Sequence, residues 1–185
     1  MSISITKGSS LNLTREEPTL KKIMIGLGWD TGHYAMDLDA SAFMLAKNGK
    51  IPADEYFIFY NNLKSPDGSL QHTGDNRTGE GEGDDEMILA NMDLVHPDIE
   101  EILILVSIHH AKLREHHFGQ LKNAFIRLYD VDNKKEILKY KLEDTFQNCT
   151  EVEFGKFQKI NNEWRFTAQG NGTAKGLQSF VDMYA

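Results

Sequence analysis

The sequence is poor in the features that mark disulfide frameworks, membrane spans and secretion. Its 185 residues include one cysteine, Cys149, so no internal disulfide can form. The longest apolar run, residues 102–108, is far shorter than the ~20 residues that a membrane-spanning helix needs. Residues 1–7 lack the basic start and apolar stretch of a signal peptide. We therefore expect a cytoplasmic protein, and the lone thiol fits a reducing compartment.

Negative charge is concentrated at two places. The formal net charge is −8, and residues 75–86 contain six carboxylates against one arginine. Asp37 and Asp39 add two more, so these two places account for seven of the eight net negative charges. Nucleic acid would be repelled there, because phosphate contacts need clustered lysine and arginine. A cation is the expected partner instead.

Short strand-like runs alternate with turn signals along most of the chain. Residues 21–27, 41–46 and 123–130 are rich in β-branched and aromatic residues or alternate with period two. Residues 101–109 form the most apolar run, as in a central strand, whereas residues 175–184 have helical spacing. This pattern predicts an all-β protein: an antiparallel β-sandwich of two sheets with a few short helices and a C-terminal helix. No composition break divides residues 1–185, so we expect a single domain.

Residues 74–86 combine carboxylates with alternating glycines. Ca²⁺ takes six to eight oxygen ligands from carboxylates and carbonyl groups. Carboxylates that are held close together repel one another unless a cation neutralises them. The glycines allow the backbone to fold tightly and turn its carbonyl oxygens inward. The pattern favours a cation site, and a solvated acidic loop is the alternative.

Two better-known loop types do not fit this segment. An EF-hand loop has aspartate or asparagine where this chain has Arg77 and Gly79, and glycine where it has Glu80. A phosphate-binding glycine loop needs a Gly-Lys-Ser or Gly-Lys-Thr sequence, which is missing, and the carboxylates would repel phosphate.

Asp37 and Asp39 begin another predicted strand. Residues two apart on a strand share a face, so the two side chains are expected to point the same way while Leu38 points into the core. Taken alone, two surface aspartates would explain the pair.

Five motifs occur in a fixed order along the chain. They are Gly-Leu-Gly-Trp-Asp at 26–30, Asp-Leu-Asp-Ala-Ser-Ala at 37–42, and the segments 59–69, 72–86 and 118–127. Together they resemble the TerD family of tellurium-resistance and bacterial stress proteins, over essentially the whole chain. The resemblance implies a β-sandwich that binds calcium, commonly two ions. By motif match the implied ligands, some through backbone carbonyls, are Asp37, Asp39, Asp75, Asn76, Arg77, Gly79, Gly81, Gly83, Asp84, Asp85 and Glu86.

These features lead to a hypothesis about function. We expect a non-enzymatic, calcium-binding stress-response protein in which Ca²⁺ orders the acidic loop and a surface for partners, such as other tellurium-resistance proteins. The alternative is a metal-dependent nucleotide-binding protein or phosphoesterase that uses the same ion. A third hypothesis is that the protein is an assembly scaffold.

The histidines near residue 110 are the main departure from the family pattern. The family often has aspartate where this chain has His110, so the resemblance assigns no ligand there. Consecutive strand residues point to opposite faces, which argues against a transition metal shared by His109 and His110. Ordinary surface or packing histidines are expected.

Overall fold

Two six-stranded sheets make up most of the described chain. The computed structural model describes residues 2–30, 36–75, 84–142 and 146–185. Sheet 1 contains β1 (Ile3–Ile5), β3 (Lys22–Asp30), β6 (Leu70–Asp75), β7 (Glu86–Asn91), β9 (Lys122–Asp130) and β10 (Lys135–Lys141). Sheet 2 contains β2 (Ser10–Asn12), β4 (Leu38–Ala46), β5 (Phe57–Ile58), β8 (Ile99–Ile108), β11 (Glu151–Ile160) and β12 (Glu163–Thr173). The α-helices within these ranges are α1 (Leu13–Glu16), α2 (Ala111–Arg114) and α3 (Leu177–Tyr184).

The sheets are almost wholly antiparallel. Sheet 1 has the order β1-β10-β9-β3-β7-β6, and sheet 2 has the order β2-β12-β11-β8-β4-β5. Among the named strands, the parallel pair is β1 beside β10. The predicted antiparallel sandwich with few short helices and a C-terminal helix is confirmed.

The core lies between the two sheets and follows the period-two alternation of the strands. On β3, Ile23, Ile25 and Leu27 are fully buried and contribute to the main apolar cluster. Leu38 and Ala40 of β4 contact the same cluster from sheet 2. The residues between them, such as Gly26 and Asp39, therefore belong to the outer faces of the sandwich.

Strand β8 is buried on both faces, which explains its nearly continuous apolar sequence. It lies between β11 and β4 in sheet 2. Ile102 and Ile104 contribute to the main core, whereas Leu103 and Leu105 belong to a second cluster that includes Phe180 of α3. The C-terminal helix therefore covers part of the outer face of sheet 2.

Two elements depart from the local sequence preference. Pro97 favours a helical turn over residues 98–101, but this is wrong, because β8 begins at Ile99, which pairs with Ala46 of β4. Strand β6 was not predicted, because Gln71, His72 and Thr73 lack an apolar alternation. In both cases pairing with a neighbouring strand outweighs the local sequence preference.

Several strands begin or finish at one end of the sandwich, here called the loop end. Strand β3 finishes there and β7 begins there, as their antiparallel register shows. Strand β4 begins beside the end of β8, with Leu38 opposite Ile108, and β11 begins beside Ser107. The described ends of β3, β6, β8 and β10 and the starts of β4, β7, β9 and β11 therefore lie at this end.

The turn that leads into β6 is organised by one carboxylate. Oδ1 of Asp67 accepts hydrogen bonds from the Ser65 hydroxyl at 2.6 Å and from the Ser69 hydroxyl at 2.7 Å. Oδ2 accepts the backbone N–H of His96 at 2.9 Å. Burial alone would raise the pKa of Asp67, but these donors lower it below its usual value.

We predict that Asp67→Asn lowers the free energy of unfolding by about 1–3 kcal/mol at neutral pH, because charge-assisted hydrogen bonds are lost. A carboxylate with a lowered folded-state pKa adds stability above its unfolded pKa and loses it as pH falls through the folded pKa. The difference between wild type and variant should therefore shrink in acid, as measured by urea denaturation at about pH 7 and pH 3. The exposed Asp54→Asn serves as the control, and a difference independent of pH would refute the assignment.

Candidate cation site at the loop end

Three consecutive carboxylates, Asp84, Asp85 and Glu86, lie where the chain passes into β7. Asp84 points to the outer face of sheet 1. Nε of Arg127 donates to its Oδ1 at 2.8 Å and to its Oδ2 at 2.9 Å. A Cβ atom on Gly26 would lie 2.2 Å from Oδ2 of Asp84, so the carboxylate rests against a position where only glycine leaves room.

Asp85 links the start of β7 to the end of β3. Its backbone N–H donates to the Leu27 carbonyl at 2.7 Å, and its Oδ2 accepts the Trp29 N–H at 2.8 Å. The residue is buried, with 6% of its surface exposed. Burial raises the pKa of Asp85; the Trp29 N–H lowers it and the nearby charge of Asp84 raises it further, and the net direction is upward. The ionised form of a carboxylate in this position is stabilised by any added positive charge.

Glu86 points into the core and pairs with His72 of β6. Nε2 of His72 lies 2.9 Å from Oε2 of Glu86, and both side chains are almost fully buried, at 2% and 1% exposure. Burial alone would lower the pKa of His72, but Glu86, the Ala40 carbonyl oxygen and the charge of Asp39 together raise it. Because Ala40 belongs to β4, this pair also connects sheet 1 to sheet 2 at the loop end.

We predict strong coupling within this buried pair. His72→Leu and Glu86→Leu should each lower the free energy of unfolding by about 3–5 kcal/mol, because each leaves a buried charge without its partner. The double variant should cost clearly less than the sum of the single variants, as measured by denaturant unfolding in a chelator. Additive costs would show that the two side chains do not act as a pair.

Asp37 and Asp39 lie on the other sheet. The Asp37 carbonyl oxygen accepts the His109 N–H at 2.7 Å. Asp39 is on the outer face of sheet 2, opposite Ser107 in the strand register, and its Oδ2 lies 3.5 Å from Nδ1 of His109. Asp39 and Asp84 therefore face opposite sides of the sandwich, whose sheets are expected to lie about 10 Å apart.

The structure thus describes part of the predicted ligand set. Asp84 and Asp85 are adjacent, Glu86 is turned inward, and Asp37 and Asp39 belong to sheet 2. The predicted ligands Asn76, Arg77, Gly79, Gly81 and Gly83 lie outside the described residues, as does the side chain of Asp75. Within the described ranges, no three His, Cys, Asp or Glu side chains are grouped closely enough to hold an ion together. The complete ligand set stays a prediction.

The arrangement of the histidines differs from the sequence-based interpretation. Strand β8 ends at Ile108, and His110 adopts a left-handed backbone conformation with φ 51°. The rings of His109 and His110 consequently lie on one side, with centroids 3.9 Å apart. The assumption that they point to opposite faces was wrong, because it extended the strand geometry to His110, where the positive φ ends it.

The partners of the acidic residues were not predicted from the sequence. Arg127 of β9 compensates Asp84, and His72 of β6 compensates Glu86. The alternation of residues 123–130 assigns Arg127 to the face opposite Ile126, so the outward direction of its side chain could be predicted. His72 gives no comparable local signal.

Comparisons with known proteins identify the family. The chain belongs to the TerD domain family, which matches residues 1–184. It is 47% identical to the tellurium resistance protein TerD of Serratia marcescens, over 100% of this chain and 97% of that protein. It is 40% identical to general stress protein 16U of Bacillus subtilis, with 100% and 97% covered. The family assignment to tellurium resistance and stress response is therefore confirmed.

Solved structures support the fold. The crystal structure of a TerD homologue from Streptomyces coelicolor matches with a TM-score of 0.69 at 22% identity, covering 90% of this chain and 98% of that one. A protein of unknown function, SAV2460, matches with a TM-score of 0.72 at 21% identity, covering 88% and 95%. In the described part of this chain, no helix is both long and apolar enough to cross a membrane.

Proposed function

We propose that this protein is a non-enzymatic stress-response protein of the tellurium-resistance type that binds calcium at the loop end. Asp84 and Asp85 would supply carboxylate oxygens, together with the predicted ligands of residues 75–83. Asp37 and Asp39 would contribute from the β3–β4 side, and two ions are expected. The lone Cys149 supports a cytoplasmic setting.

The environment of Asp85 is the observation that carries the proposal. This buried carboxylate lies directly beside Asp84, and its hydrogen bond to the described residues is a single one from the Trp29 N–H. Its raised pKa reflects an ionised form that the described surroundings under-compensate. A cation at this position would relieve both the desolvation of Asp85 and its repulsion by Asp84.

The chemistry of the donors favours a hard cation. Carboxylate and carbonyl oxygens are the ligands that Ca²⁺ prefers, whereas zinc and copper favour nitrogen and sulfur. Arg127 uses one N–H on Asp84, and a carboxylate has about four lone-pair positions, so Asp84 retains capacity for an ion.

Glu86 has a different role in this proposal. Its buried pairing with His72 fixes the first residue of β7 and thereby the direction in which Asp84 and Asp85 leave the sheet. Bound calcium would neutralise the acidic segment and hold it against β3 and β7. The surface so formed is proposed as the docking site for other stress-response proteins.

We predict that Asp85→Asn has opposite effects with and without calcium. In a chelator the variant should be at least as stable as wild type, because it removes a poorly compensated buried charge. At calcium concentrations near 100 times Kd, wild type should gain about 2.7 kcal/mol, which is about 5–10 °C in Tm, and the variant should gain far less. Thermal denaturation followed by circular dichroism measures both effects.

Calorimetric titration of chelator-treated protein provides the direct measurement. Wild type and Asp132→Asn, which removes one carboxylate at the β9–β10 hairpin, should bind calcium equally, and Asp85→Asn should bind it much more weakly. The stoichiometry distinguishes one ion from two. An absence of binding by wild type at millimolar calcium, together with an unchanged Tm, would refute the proposal.

A further inference from the structure

A groove of about 990 Å³ opens on the outer face of sheet 2 at the loop end. Ile108, Ala111 and Leu177 provide apolar lining, and Tyr60 and Leu113 lie at its exposed margins. Leu113 is 82% exposed although it is a large apolar side chain. Small-molecule sites are commonly concave, of roughly 300–1,000 Å³, and mostly apolar with a few polar groups.

The backbone at the end of β8 produces this groove. The His109 N–H donates to the Asp37 carbonyl at 2.7 Å, which continues the sheet by one residue. The left-handed conformation of His110 then turns the chain into α2. Helix α3 covers sheet 2 farther along through Phe180, so a space remains between α2 and the start of α3.

The negative groups of the groove are already compensated. Glu151 is 3% exposed; its Oε1 accepts the Thr150 hydroxyl at 2.6 Å and its Oε2 accepts the Gly176 N–H at 3.0 Å. The Glu151 carboxylate is therefore already hydrogen-bonded to the backbone at the start of α3. Asp39 is paired with His109 at 3.5 Å, and its side chain is 16% exposed.

The positively charged side chains of the groove are exposed and can contact a ligand. Lys112 comes from α2 and Lys175 from the segment that precedes α3, and both are exposed groove-lining residues. Neither side chain forms an ion pair or hydrogen bond with the described residues. His110 is exposed beside them, and its ring contacts that of His109. The groove therefore has a formal charge near zero but presents mainly cationic groups to a ligand.

We propose that this groove binds a small organic anion with a phosphate or carboxylate group on an aromatic or apolar body. Lys112, Lys175 and His110 would bind the anionic group. Tyr60, Leu113 and Leu177 would contact the apolar body. The size of the groove and its mixed lining suit such a ligand, and the exposed lysines supply charge complementarity.

The test uses 1-naphthyl phosphate as the probe and 1-naphthol as its uncharged counterpart, titrated into isotopically labelled protein in a chelator. Amide signals of His110–Leu113 and Lys175–Leu177 should shift with 1-naphthyl phosphate. The affinity for 1-naphthol should be lower by about tenfold or more. Lys112→Gln/Lys175→Gln should weaken phosphate binding by about tenfold or more. Lys22→Gln/Lys47→Gln, which removes the same charge at the opposite end of the sandwich, should leave it unchanged.

Several outcomes would overturn the inference. Equal binding of naphthol and naphthyl phosphate would reduce the groove to an apolar patch. Absence of groove shifts at millimolar probe, or equal binding by both lysine double variants, would exclude the site. Binding that appears only when calcium is added would mean that an ion, rather than these lysines, holds the anion. Since the measurement is made in a chelator, its result is independent of the calcium proposal.

Discussion

Three adjacent carboxylates must be accommodated where the chain passes into β7, and the loop end is arranged around them. Asp84 and Asp85 precede β7 and Glu86 is its first residue, so the three side chains point in different directions and have different partners. Arg127 compensates the first on the outer face, and His72 compensates the third in the core. The middle residue receives a backbone N–H.

This distribution separates a structural part from a binding part. A buried pair such as His72 and Glu86 costs stability if either partner is removed, yet it adds little relative to an apolar pair. Its value here is geometric, because it connects β6, β7 and the Ala40 carbonyl of β4. The outer and middle carboxylates, in contrast, remain close to each other and to the acidic segment. Electrostatic repulsion is therefore concentrated where the proposed cation would lie.

The sequence predicted the sandwich well because its strongest signals are local. Period-two alternation revealed β9, and the apolar run of β8 reflects burial on both faces. Strand β6 was not predicted because its buried polar residue, His72, is compensated by a glutamate fourteen positions later in the chain. Such a partnership exists only after β6 and β7 pair, so no local pattern reports it.

For the candidate site, the sequence located the acidic residues but not the side chains that compensate them, and the ligand set stays a prediction. The composition of residues 75–86 indicated cation chemistry and the motifs indicated the family. The outward direction of Asp39 follows from the alternation of β4, whereas that of Asp84, which precedes β7, does not follow from a strand pattern. His110 shows the limit of that geometry, since one residue with positive φ ends the alternation and brings two rings together.

The same geometry explains how an acidic protein can carry a groove suited to anions. Asp84 faces outward from sheet 1, whereas Lys112 and Lys175 line a groove on the outer face of sheet 2. The sheets place about 10 Å of packed side chains between these faces. Exposed charges separated by more than about 8 Å are largely screened at physiological ionic strength. The net charge of −8 therefore does not determine the local potential at the groove, which depends on the two lysines and on how fully Glu151 and Asp39 are satisfied within the protein.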